Sequence, residues 1–275
     1  MHAEAARQAS EAYHNQRSIE KSTRVVPLAG LKFNSEDLSK LGLAEGTQWS
    51  QVSEEMAVVR TKNEKARLLY LIRHGEGIHN VAEREFGKEH WESVEALTEK
   101  YFDAPLNDVG ERQCAELQSS FQKATEGGMP PVDTIIVSPL TRAIETAKLG
   151  LAHIWGKVPT YAVDLCRERY GKNLCDKRKS VTELKKLHPE INFDLFMDSQ
   201  EDEAFTPVRE TDEAIEQRIA AFYNWLTHHT PTAWGTVAVV GHSSFMAHSV
   251  QWLQAPYHWP SNCECVSLAV QPTLP

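Results

Sequence analysis

Leu68-Leu69-Tyr70-Leu71-Ile72-Arg73-His74-Gly75-Glu76-Gly77-Ile78-His79-Asn80 decides the fold of this chain. Five apolar residues, the length of a buried strand, stop abruptly at Arg-His-Gly, where two glycines permit a tight backbone turn. In open α/β sheets ligands bind beyond the carboxyl ends of the strands. Arg73 and His74 are therefore placed to meet a substrate.

Two further junctions repeat the pattern. Val237-Ala238-Val239-Val240 runs into Gly241-His242-Ser243-Ser244, after which Phe245–Leu253 reads as a helix. Asp133–Val137 runs into Ser138-Pro139-Leu140-Thr141-Arg142-Ala143, with a proline at a helix start and Arg142 in the first turn. Three strand ends thus deliver Arg73, His74, Arg142 and His242.

Arg73-His74-Gly75 with Asn80 behind it, Ser138 to Ala143 with Thr146, and Gly241-His242-Ser243 resemble the histidine phosphatases in kind, order and spacing. That family includes the cofactor-dependent phosphoglycerate mutases and many small phosphatases. The resemblance covers roughly residues 66–270. It implies an α/β fold, a three-layer α/β/α sandwich on a mostly parallel sheet, with a phosphatase domain over 67–275 and an extension, 1–66, packed on it. It also implies that His74 is the nucleophile that becomes phosphorylated, and that Arg73, Arg142 and His242 hold the phosphoryl group. Asn80 matches a phosphate-site position, and Gly75 and Ser243 belong to matching motifs as substrate-binding candidates.

Family members place a Glu or Asp, often as Leu-x-Glu, where it protonates the leaving group and later activates water. Here the stretch reads Leu165-Cys166-Arg167-Glu168, one residue longer, so Glu168 is the candidate acid and base. Arg169 beside it equally suits a surface ion pair. Glu168-Arg169-Tyr170-Gly171 matches the mutases, but the residues after it do not.

The chemistry supports these roles independently. Phosphoryl transfer is mostly positioning and neutralisation of oxygen charge, and forked guanidinium donors suit a phosphate better than lysines do. A neutral imidazole can attack phosphorus in line, and nearby cations lower its pKa, favouring a neutral His74. His242 can act neutral or as a cationic donor; sequence leaves both protonation states open. Cationic side chains replace a metal here, so no metal or other cofactor is expected.

The chain has 275 residues, 41% of them hydrophobic, enough for one sizeable α/β domain with an extension. Its net charge of −9 argues against nucleic-acid binding, which draws its affinity from cationic contacts to phosphates. No apolar run approaches the eighteen or so residues of a membrane span, and the N-terminus lacks the apolar core of a signal peptide. Five cysteines without a framework point to reduced thiols and a cytoplasmic, or also nuclear, location. Cys263-x-Cys265 near His258 has the wrong spacing for a zinc site. Oligomeric state is open.

Within residues 1–66, Glu4–Lys21 reads as a frayed helix or disorder, Val25–Leu31 as extended, and Asn34–Leu43 as a capped short helix or turn. Trp49, Val52, Met56 and Val59 fall at helical spacing, so Thr47–Lys62 is expected to pack one face on the domain. Val81–Phe102 reads as a loop with helical pieces that shapes the pocket. His79 is either a substrate contact or a turn residue. Asn107 is a possible cap for a helix over Glu111–Lys123. Gly171–Lys179 is the densest basic stretch; it is a solvated face, or else Lys177 and Arg178 hold a second anionic group or clamp the structure. Helices are expected over Thr182–His188 and Glu210–His228, and a last strand over Val266–Val270.

The expected function is hydrolysis of a small phosphorylated metabolite, a phosphomonoester, through a phosphohistidine. The alternatives are mutase-type transfer and a degenerate member that only binds phospholigands or proteins. Degeneracy predicts loss of the nucleophile, an arginine or the second histidine, and none is lost.

Overall fold

The computed structural model describes residues 2–14, 23–32 and 37–273. Six strands form one sheet in the order β1-β6-β2-β5-β3-β4. They are β1 (Thr23–Val26), β2 (Arg67–Arg73), β3 (Thr134–Val137), β4 (Thr160–Ala162), β5 (Thr236–Gly241) and β6 (Cys265–Pro272). β2, β5, β3 and β4 run parallel, while β6 is antiparallel to both β2 and β1. The mostly parallel sandwich expected from the motifs is present.

Side-chain alternation sorts the strands onto two cores. Leu68, Tyr70 and Ile72 of β2, with Ala238 and Val240 of β5, face one apolar cluster; Leu69 and Leu71, with Val237 and Val239, face the other. Burying each such leucine contributes about 1.5–3 kcal/mol. The first face is covered by α2 (Trp49–Lys62), α5 (Asp108–Glu126), α6 (Thr141–Gly150) and α7 (Val181–Leu187). The second is covered by α1 (His2–His14), α8 (Asp212–Asn224) and α9 (Ser243–Trp252). Two covered faces explain why β2 and β5 read as unbroken apolar runs.

Local signals set the helix ends. The Asn107 side chain accepts from the Gly110 N–H at 2.8 Å, capping α5. Ser180 and Glu183 form a reciprocal capping box on α7. The helix expected to reach His228 instead changes at Trp225 into a π-helical turn, Trp225–His229.

The N-terminal region is built into the sandwich. β1 pairs with β6 along the sheet edge, α1 buries Ala6, Ala9 and Tyr13 in the second core, and α2 buries Trp49, Val52 and Met56 in the first. The frayed-helix reading thus becomes a packed helix up to His14, with residues 15–21 outside the described ones. Of the short element expected at 34–43, Leu38–Lys40 is a 3₁₀ turn capped by Asp37; residues 34–36 are outside the described ones.

The segment after β2 folds as α3 (Ile78–Phe86), α4 (Lys88–Ser93) and two 3₁₀ turns. Ala82, Trp91, Ala96 and Tyr101 form a small separate core with Cys175. This layer lies over the carboxyl ends of the strands.

Candidate active site

Strand register brings the two motif histidines together. Arg73 of β2 pairs with Gly241 of β5, so the residues that follow, His74 and His242, emerge side by side with ring centroids 5.0 Å apart. The His74 backbone continues the ladder, its N–H donating to the Gly241 carbonyl at 3.0 Å. Its own carbonyl accepts from Asn262 Nδ2 at 3.0 Å and from the Cys263 N–H at 3.3 Å. Gly75 is required by packing: a Cβ there would lie 2.8 Å from the Gly110 carbonyl oxygen. The Gly75 N–H donates to Thr146 Oγ1, which explains the threonine at the second turn of α6.

His74 has a defined tautomer. Its Nδ1 lies 2.6 Å from the Gly75 carbonyl oxygen, an acceptor only, so Nδ1 carries the proton. Nε2 then holds the ring's lone pair, and it accepts from Arg142 Nε at 3.2 Å. Burial, then the charges of Arg142 and Arg73, hold the imidazole well below its ordinary pKa. Cations lower it as expected from sequence, but burial is the larger cause.

Arg142 is nearly fully buried in the first turn of α6. Its Nη1 donates to the Cys175 carbonyl at 2.6 Å and its Nη2 to Asp176 Oδ1 at 2.7 Å. Asp176 Oδ2 accepts from Arg209 Nη1 at 2.7 Å, so one carboxylate anchors two guanidiniums. Burial raises the Asp176 pKa, but Arg209 and Arg142 outweigh it and leave the group lowered and ionised. Arg73 donates from Nη1 to the Pro260 carbonyl at 2.8 Å and lines the same cavity.

Glu168 follows the 3₁₀ turn Asp164–Cys166. One carboxylate oxygen accepts from the Arg169 N–H at 2.8 Å; the other meets Ser243 Oγ at 3.3 Å and the Ser244 N–H at 3.4 Å. The positive end of α9 thus holds the carboxylate. Ser243 touches Glu168, and Asn80 accepts from the Gly77 N–H at 3.0 Å to start α3.

His74, Arg73, Arg142, Glu168, Asn80, His79 and Ser243 line one cavity of about 590 Å³. His242 lies behind it, fully buried, its Nε2 2.7 Å from Ser138 Oγ, so it does not line the cavity as the phosphoryl-holding role implied by the resemblance would require. Burial and then Arg142 push its pKa well down, so of the two states left open by sequence the neutral one is present.

Gly75, packed against Gly110, does not line the cavity, which corrects its assignment to substrate, and two further candidates are elsewhere. Arg178 is 2% exposed and spends its guanidinium on Asp164 Oδ1 and the carbonyls of Lys179, Ser199, Gln200 and Glu201. It clamps the 198–202 loop and does not line the cavity, correcting its assignment to substrate. Lys177 sits with Nζ 5.2 Å from the centre of the Phe205 ring, and does not line the cavity either. A basic run is ambiguous because a buried loop with acidic neighbours absorbs its charges.

The cations at that position in the cavity are instead Arg169, Lys172 and Arg209. Arg209 Nη1 bonds the carbonyls of Arg169 and Gly171, and Gly171 is left-handed (φ +77) where a Cβ would lie 2.1 Å from the Val208 carbonyl. This close approach of two loops delivers Arg209, which no motif marks. Asp176 was concealed inside the basic run; its one acid among Lys and Arg was the available signal.

A profile of the histidine phosphatase superfamily, branch 1, matches residues 69–270. The chain belongs to the histidine phosphatase superfamily. This superfamily member is 28% identical over 242 residues to phosphoglycerate mutase-like protein 1 of Arabidopsis thaliana, covering 75% of this chain and 82% of that one. It is 31% identical over 209 residues to the Arabidopsis phosphoglycerate mutase-like protein, covering 66% and 73%. Its fold matches that of a phosphoglycerate mutase from Bacillus anthracis with a TM-score of 0.50 at 20% identity, over 76% of this chain and 92% of that one.

The superfamily member's neutral imidazoles carry a pH consequence. His74, His79 and His242 all have depressed folded pKa values, whereas the unfolded chain takes up protons near pH 6.5. Their stability contribution is full above that pH and is lost as pH falls toward the folded values. Melting temperature is expected to drop between pH 7.5 and 5.5; a rise over that interval in calorimetry contradicts the neutral assignments.

Proposed function

We propose that this chain is a metal-independent phosphomonoesterase that passes the phosphoryl group of a small phosphorylated metabolite through His74 to water. The supporting observation is the His74 ring: its Nδ1 proton is committed to the Gly75 carbonyl and its Nε2 lone pair faces the Arg142 guanidinium. An unprotonated nitrogen whose lone pair is held only by an arginine hydrogen bond, which can pass to a phosphoryl oxygen, is suited to attack phosphorus.

In the first step the Nε2 pair attacks phosphorus, the P–O bond to the alcohol breaks, and Glu168, which enters this step in its protonated form, donates that proton to the leaving oxygen. In the second, Glu168 takes a proton from water, the water oxygen bonds to phosphorus, and the N–P bond breaks. Arg73 and Arg142 neutralise the oxygens, and His242 supports the His74 ring from behind. The outer cations Arg169, Lys172 and Arg209 suit an anionic substrate. Phosphate release from a panel of phosphomonoesters in EDTA tests the reading; loss of all turnover in chelator contradicts it.

Mutase-type transfer is the second reading, favoured by the names of the Arabidopsis relatives. It predicts that phosphoryl groups from a bisphosphorylated donor reach another hydroxyl faster than water.

Glu168→Gln separates the acid-base role from phosphate binding. On alkyl phosphates kcat is expected to fall by about 10²–10⁴-fold. Phosphorylation of His74 by p-nitrophenyl phosphate, whose leaving group needs no proton, is expected to be nearly spared. Equal losses in single-turnover phosphorylation by both substrates contradict the assignment.

A further inference from the structure

His79 is not accounted for by the roles above. It lies in the first turn of α3, is 7% exposed, lines the cavity, and has its ring centroid 5.6 Å from that of His74. Its seat is made by a missing side chain: a Cβ on Gly77 would lie 2.7 Å from His79 Nδ1 and 2.8 Å from Cε1. Gly77 has an ordinary φ of −99°, so this glycine answers to space and not to backbone freedom.

The two ring nitrogens differ. Nδ1 is enclosed and has no hydrogen-bond partner, whereas Nε2 is not among the enclosed atoms. Nδ1 is unsatisfied in either neutral tautomer, so the group that meets Nε2 from the cavity decides between them, and a phosphoryl oxygen, an acceptor only, selects the tautomer with its proton on Nε2. Burial, then the charge of Arg142, keep the ring neutral. The Asp176 carboxylate acts on it in the opposite sense, but no carboxylate forms a salt bridge with it among the described residues.

We propose that His79 is a catalytic residue whose Nε2–H donates a hydrogen bond to an oxygen of the phosphoryl group while that group moves on to and off His74. This rests on the phosphohistidine reading of the same cavity. It assigns Gly77 and His79 as a coupled pair, the glycine making room for the donor. The donor acts where charge is spread over the equatorial oxygens, so it contributes to the transition state more than to substrate binding.

Isosteric amides test it. In His79→Gln the side-chain nitrogen can occupy the Nε2 position; in His79→Asn it reaches only as far as Nδ1. His79→Asn is expected to lose about 10²-fold in kcat/KM, with His79→Gln recovering at least about tenfold of that. Orthovanadate, which adopts the trigonal-bipyramidal geometry of transfer, should follow the same order in affinity. Its binding is read by tryptophan fluorescence, since Trp91 and Trp259 line the cavity, and needs no turnover. Equal vanadate affinities for wild type, Gln and Asn variants overturn the assignment, as do equal losses in Gln and Asn. Wild type that binds vanadate in the expected order but hydrolyses nothing overturns the phosphomonoesterase reading and leaves His79 as the oxyanion contact.

Discussion

His74→Ala is expected to lower kcat/KM for phosphomonoesters by at least about 10³-fold, because removing a nucleophile leaves only binding and electrostatic contributions. The fold should survive. The imidazole makes one hydrogen bond from each nitrogen, and the surrounding backbone bonds of residues 74 and 75 do not depend on it. Steady-state kinetics beside a thermal melt separate the two effects. A variant that melts like wild type and retains a tenth of its activity would remove His74 from the reaction path.

Asp176→Ala is expected to damage both stability and activity. The carboxylate is 3% exposed and receives Arg142 Nη2 and Arg209 Nη1, each at 2.7 Å. Taking it away leaves the nearly fully buried Arg142 charge without its counter-ion, and breaking such a pair costs about 3–5 kcal/mol. For a chain of this size that corresponds to a fall in melting temperature of roughly 6–20 °C. Activity should fall by about 10²-fold even at temperatures where the variant stays folded, since Arg142 loses the contact that aims its Nε at His74. The exposed pair of Lys40 with Asp37 at 3.9 Å is the control, and Lys40→Ala should leave the melting temperature nearly unchanged. If both substitutions have the same small effect, Asp176 does not organise the site.

Much of the architecture was legible because local and long-range signals agree. β2 and β5 are buried on both faces, so they are apolar along their length, and both end where polar residues and glycines take over. The Arg73–Gly241 register then converts two separate motifs into adjacent histidines, which spacing in sequence alone does not show. Glu168 lines the cavity despite its one-residue displacement from the family's pattern, following a 3₁₀ turn over Asp164–Cys166.

What was illegible lies where loops meet loops. Arg178 and Arg209 are both arginines near acidic residues in irregular segments, yet one clamps Asp164 and the other lines the cavity. Their fates depend on tertiary approach, such as the left-handed turn at Gly171 against Val208, and no periodicity encodes that. Charge balance of the basic run was likewise hidden, because Lys179 pairs with Asp103 and Arg178 with Asp164, both outside the run. At the N-terminus a polar helix gave no apolar run, but Ala6, Ala9 and Tyr13 share one face and bury it.

Covalent catalysis requires a bond between phosphorus and His74 Nε2. Rapid-quench trapping in alkali with a radiolabelled phosphomonoester, followed by peptide mapping, tests it most directly. One equivalent of label on the peptide containing His74, formed and lost at rates fast enough for turnover and absent from His74→Ala, is the expected result. Turnover without label on that peptide, with phosphate passing directly to water or label found on another residue, would contradict it.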